Sequence, residues 1–255
     1  MKIDYDIVSR VKAREVIRVF AIELPSEIDI EAIAYYHGLR VVVGPLKSAR
    51  GRLTSNGQKG IIYVSDQAQL PGQYRFVVAH ELGHHLLHRR KGLTALCLES
   101  DMLRYEATGR ESEANRFAAE LLMPEKLFAP KCDVAQPSLS VVDRLAQEFQ
   151  TTLTSAAIRF VDLCPEACAL VWCEDRAIKW FSRGEDFAGW FNVGAKLDSG
   201  TCAYDAFDGK VVRERPELVC AEAWCEGARV DDIYEHTRYF KNYGATLTLL
   251  WAKSS

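Results

Sequence analysis

Val78-Ala79-His80-Glu81-Leu82-Gly83-His84 decides how this chain is read. It lies inside a run, roughly Gln73 to Arg90, that reads as one long helix opened by Pro71-Gly72. Residues four apart in a helix share a face, one turn above the other. The imidazoles of His80 and His84 can therefore both reach one Zn²⁺ at about 2.0–2.1 Å. Glu81 stands about 100° further around the helix. It can face a water on that ion without ligating, which is the general-base arrangement of zinc hydrolases. Phe76, Val77, Val78, Leu82, Leu86 and Leu87 make the helix apolar on several sides, so a buried core helix is predicted. Two histidines and a glutamate inside a core need partners, because unpaired buried polar groups cost free energy. A metal ion supplies one.

The third ligand sets the class of site. A metzincin continues HExxHxxGxxH, which requires Gly at 87 and His at 90; here they are Leu87 and Arg90, so that class is excluded. His88 shares the face of His80 and His84 but lies about 12 Å along the axis from His80. His88 and His85 are therefore read as neighbours of the ligands or as surface residues. A second helix, from near Arg110 to Pro124, carries Glu111, Glu113 and Asn115. Glu111 would complete a His₂Glu set and leave the fourth position to water, as a catalytic zinc requires. Asn115, one turn on, can hydrogen-bond a ligand histidine. Glu113 points about 200° away from Glu111 on the same helix. It remains the alternative ligand, and the pairing with Asn115 favours Glu111.

On the N-terminal side, two helices are expected over Ile7–Ile22 and Ser26–His37, followed by a strand at Leu39–Val43. Arg52–Thr54 and Gly60–Ser65 flank Asn56-Gly57 and read as a hairpin. The strand Gly60–Ser65 is either plain sheet core or an edge that pairs with a substrate backbone. Residues 92–109 look irregular. Beyond Pro124, Ser140–Phe149 and Thr154–Cys164 read as two short helices. Every Trp lies after residue 166, among short apolar runs.

The expected class is α+β. A metallopeptidase core with a small antiparallel sheet and an active-site helix occupies residues 1–130. A helix-turn-helix-like segment takes 131–165, and a smaller α+β domain takes 166–255. The second helix of the middle segment holds one base, Arg159, and one acid, Asp162. Recognition helices usually carry more phosphate and base contacts, so direct DNA binding is not expected.

Composition narrows the setting. Of 255 residues, 48% are apolar and 26% charged, ordinary values for a globular protein. The net charge of −3 gives no bulk attraction to nucleic acid. The longest uncharged stretch, Asn242–Ala252, is too short to span a bilayer. Asp4 and Asp6 interrupt any signal-peptide core at the start, so a cytoplasmic protein is expected. The eight cysteines include no CxxC, and Cys164/Cys168 is spaced CxxxC; free thiols are expected rather than disulfides or a second zinc site.

Val78–His84 followed by Glu111-Ser-Glu-Ala-Asn-Arg-Phe-Ala-Ala-Glu-Leu-Leu-Met-Pro124 resembles the ImmA/IrrE family of zinc metallopeptidases, specifically over about residues 40–125. The resemblance implies a gluzincin-like, thermolysin-like core in which His80, His84 and Glu111 hold zinc and Glu81 is the base. It further implies a helix-turn-helix-like segment over 138–164 and a GAF-like sensory part over 166–255. The substrate it implies is a helix-turn-helix repressor, whose cleavage relieves repression.

Overall fold

The structure, a computed structural model, describes residues 5–46, 49–68, 70–88, 93–97 and 109–253. The chain divides into two compact units. The first takes residues 1–127 with 147–152; the second takes 128–146 with 153–255.

In the first unit, helix α1 (Tyr5–Val19) precedes a 3₁₀ turn at Pro25–Glu27 and helix α2 (Ile30–Tyr36). Asp29 caps α2 by accepting the Ala32 N–H, which starts the helix later than Ser26. Strands β1 (Leu39–Gly44), β2 (Gly51–Ser55), β3 (Gly60–Ser65) and β4 (Leu93–Cys97) form one sheet in the order β1-β3-β2-β4. The β2–β3 turn is built by Asn56, whose Oδ1 accepts the N–H of Gln58 and Lys59, and by Gly57 at φ +91°.

One expectation about this sheet is corrected and one open alternative is decided. It is mixed rather than antiparallel, because β1 pairs parallel with β3 while β2 runs antiparallel to β3 and β4. Strand β3 is also interior, with β1 and β2 on its two sides. Its backbone groups are already used in ladders, so a substrate strand cannot add there. The segment expected to be irregular contains β4, while residues 98–108 lie outside the described residues.

Helix α3 (Pro71–Leu87) packs on the inner row of β2, in which Gly51, Leu53 and Ser55 are buried and Arg52 and Thr54 exposed. Helix α4 (Arg110–Leu122) lies against α3. At Gly83 a Cβ would come within 3.0 Å of Phe117 and 3.3 Å of the Ala114 backbone. The missing side chain is what lets the two helices approach. Gly72 performs the same service at the start of α3, where a Cβ would lie 2.5 Å from the Thr151 backbone. That contact ties residues 147–152 to the first unit.

The second unit holds helices α5 (Glu125–Cys132, from Phe128 onward), α6 (Leu139–Glu148, to Ala146) and α7 (Leu153–Leu163). Strands β5 (Ala167–Glu174), β6 (Ala177–Arg183), β7 (Glu217–Cys220), β8 (Asp232–Phe240) and β9 (Ala245–Ala252) form an antiparallel sheet in the order β6-β5-β9-β8-β7. One face is covered by Phe187, Phe191 and Trp224. Helix α8 (Cys202–Phe207) points its first N–H groups at the buried Glu235. This carboxylate accepts from Cys202 N, Ala203 N, Trp224 Nε1 and Thr237 Oγ1. The seven cysteines whose side chains are described are free thiols. No helix among the described residues is long and apolar enough to cross a membrane.

The second unit contains an acid-sensitive contact at His236. The Leu139 N–H, at the start of α6, donates to His236 Nδ1 at 3.1 Å. Burial, with a smaller push from Arg238, lowers the His236 pKa to about 4. Below the ordinary histidine value near 6.5 the unfolded chain takes up a proton that the folded chain refuses. Stability contributed by this group is therefore present at neutral pH and is lost as pH falls from about 6.5 to about 4. His236→Asn keeps an acceptor near the Nδ1 position. Denaturant titrations should show a pH-dependent loss in the wild type that is ~2 kcal/mol larger than in the variant over that window; equal slopes would remove His236 as the cause.

Candidate metal centre

Helix α3 places His80, Glu81, His84 and His85 in the interior, and α4 brings Glu111 and Asn115 against them. His80 Nε2 and His84 Nε2 lie 3.1 Å apart. Glu111 Oε2 is 3.2 Å from the first and 3.3 Å from the second. These three residues are the one group among the described residues whose ligand atoms converge to hold a metal ion. Donors about 2.0–2.1 Å from a tetrahedral ion stand about 3.3 Å from one another, which is the spacing found.

The donor chemistry fits a cation. Asn115 presents Oδ1 to His80 Nδ1 at 2.8 Å, so Nδ1 carries a proton and Nε2 is the nitrogen left to offer a lone pair to a cation. Glu111 contributes a carboxylate whose Oε2 faces both ring nitrogens. A carboxylate and imidazole lone pairs gathered at this spacing repel one another unless a positive charge lies between them.

Glu81 follows His80 and is fully buried. Its Oε1 reaches the inner face of β2 at Gly51, where a Cβ would stand 2.6 Å from the carboxylate. Gly51 is thus a site residue that sequence reasoning misses, since a lone glycine between two arginines carries no signal of what it faces. Ser55, on the same strand row, has its Oγ 2.9 Å from His85 Nδ1. His85 is accordingly neither surface nor ligand.

The structure separates the two acids of α4. Glu113 Oε2 is 2.8 Å from His88 Nε2, away from the converging donors. Burial lowers the pKa of His88 against the opposing pull of Glu113.

Two consequences can be measured. Glu111→Ala should abolish tight zinc binding, whereas Glu113→Ala should weaken it far less; the opposite order in a chelator-competition titration would move the ligand role to Glu113. Asn115→Ala should weaken zinc binding by about 10- to 100-fold, as removal of a hydrogen-bond partner of a ligand histidine does. An unchanged Kd would show that Asn115 only packs.

Known proteins can be set beside this geometry. No curated protein matches the chain. Among solved structures, a Mycobacterium tuberculosis transcriptional regulator is similar, with a TM-score of 0.57 at 14% identity. The likeness covers 98% of this chain and 76% of that one and shows a shared fold. Residues 34–161, half of the chain, match the IrrE N-terminal-like domain, Peptidase_M78. That span contains both helices of the metal centre, and the chain belongs to the IrrE N-terminal-like, Peptidase_M78 family.

Proposed function

We propose that this protein is a zinc-dependent endopeptidase with a zincin-like core, in which His80, His84 and Glu111 hold the metal and Glu81 is the general base. The observation that carries the reading is the convergence of three metal-donor atoms next to a buried glutamate. Zinc bound there would supply Lewis acidity toward a peptide carbonyl and acidify a water molecule. Glu81 takes the proton from the attacking water and hands it to the leaving amine. The close approach of Gly51 restricts where the Glu81 carboxylate can lie.

The substrate we propose is a specific intracellular partner, a helix-turn-helix repressor, on the strength of the ImmA/IrrE resemblance. The antiparallel sheet over 166–255 is compatible with a GAF-like sensory part. A metal-binding regulator without proteolysis is the alternative. The fold likeness to a transcriptional regulator favours it, and the intact Glu81 counts against it, since pure metal binding needs no base. Direct DNA contact gains little support, because Arg159, the one basic side chain of α7, is buried and bonded to Asp162.

The test is Glu81→Gln. The amide has a similar shape but cannot act as a base at neutral pH. Zinc content and melting temperature should match the wild type, while cleavage of the repressor encoded nearest to the gene falls by about 100-fold or more. Cleavage by the variant at the wild-type rate would remove Glu81 from the chemistry. A zinc-loaded wild type that cuts no repressor would favour the non-proteolytic regulator.

A further inference from the structure

A histidine that binds a metal uses one ring nitrogen for the ion, and the partner of its other nitrogen fixes tautomer and ring plane. For His80 that partner is Asn115. For His84 it is another imidazole, since His84 Nδ1 lies 3.2 Å from His88 Nδ1. His88 follows α3 directly, and its N–H donates to the His84 carbonyl at 3.0 Å. The far nitrogen of His88, Nε2, is 2.8 Å from Glu113 Oε2. Both side chains are largely shielded, at 7% and 14% exposure, so water competes weakly for these contacts.

The direction of the chain follows from proton counting. His84 turns Nε2 toward His80 Nε2 and Glu111, and with a cation on that nitrogen its proton sits on Nδ1. The lone pair of His88 Nδ1 accepts that proton's hydrogen bond. Neutral His88 then carries its own proton on Nε2 and donates it to the Glu113 carboxylate. His88 meets His84 on the Nδ1 edge, opposite to the edge facing the other donors, so it is not a rival ligand.

We propose that His88 and Glu113 form a positioning relay for the metal centre: Glu113 orients His88, and His88 holds His84 in the tautomer and ring plane that present Nε2 to the ion. The inference rests on the metal reading given above and adds two residues that touch neither the ion nor the substrate. It also gives a role to the second acid of α4. Two residues apart on one helix start, Glu111 serves the converging donors and Glu113 serves the neighbour behind them.

The experiment measures Zn²⁺ affinity by chelator competition and the visible spectrum of the Co²⁺-loaded full-length protein, with melting curves of each metal-free variant as the folding control. His88→Leu removes the acceptor and should bind zinc about 10- to 100-fold more weakly, with displaced cobalt bands. His88→Asn, which keeps an oxygen acceptor near the Nδ1 position, should recover most of the affinity. Glu113→Ala should show a smaller loss. The double variant His88→Leu/Glu113→Ala should be no weaker than His88→Leu alone, because Glu113 acts through His88.

A His88→Leu variant with wild-type affinity and spectrum would overturn the relay, as would additive losses in the double variant. If His88→Leu fails to fold, His88→Asn and Glu113→Ala decide: wild-type affinity and spectrum in Glu113→Ala, or cobalt bands in His88→Asn unrelated to the wild type, overturn it. Zinc binding that depends on His80, His84 and Glu111 but not on His88 would sink the relay alone. A wild type that binds no zinc through those three residues would sink the relay and the metal reading together.

Discussion

Helices α3 and α4 touch where Gly83 has no side chain, and the site depends on that contact. The Phe117 ring and Ala114 backbone fill the space a Cβ would need. Side chains of ordinary length then suffice to bring Glu111 within 3.3 Å of two imidazole nitrogens. A larger residue at 83 would push the helices apart by a fraction of an ångström. Metal–ligand bonds tolerate deviations of only about 0.2 Å, so packing and coordination answer to the same spacing. The close fit also excludes water from the back of the site, where Asn115 and His80 are fully buried. Weak competition from solvent lets one amide oxygen select a histidine tautomer.

The sheet contributes by what it leaves out. Its inner row on β2 alternates buried and exposed residues, which directs Gly51, Leu53 and Ser55 toward α3. Leu53 fills the core between a glycine that makes room for Glu81 and a serine that meets His85. One strand thereby presents a gap, an apolar side chain and a hydroxyl in succession to successive turns of the helix. Placing β3 between β1 and β2 also leaves it no free edge.

Much of this was legible in the sequence, because helical spacing converts directly into geometry. Residues 80 and 84 must share a face, and Glu111 with Asn115 must share another, so a carboxylate, an amide and two imidazoles could be matched before any coordinates. The long-range pairings were not legible. Nothing local to Leu39–Val43 says that it runs parallel to Gly60–Ser65, because parallel partners are joined by a crossover rather than by a turn with its own signature. The hairpin at Asn56-Gly57 could be read, since that turn writes its chemistry in adjacent residues. The attachment of residues 147–152 to the first unit rests on the missing side chain of Gly72, far away in sequence. His88 was visible as one more histidine on the ligand face. Its part became definable only once Glu113 was seen behind it, because a partner's identity depends on which edge of the ring it meets.

Two carboxylates, the buried Glu235 and the half-buried Glu111, show how surroundings separate a structural acid from a ligand. Glu235 is ringed by donors: two backbone N–H groups, an indole N–H and a hydroxyl. Burial raises its pKa and the four hydrogen bonds pull it back. Its charge is balanced by fixed dipoles, and no ion is required. Glu111 has no such ring of backbone donors among the described residues. Its near neighbours are imidazole nitrogens, one of which has its proton committed to Asn115 on the far side. An acid surrounded by donors is complete as it stands, whereas an acid surrounded by lone pairs is complete only with a cation. The same carboxylate chemistry therefore closes the Glu235 network upon itself and leaves Glu111 open toward a metal.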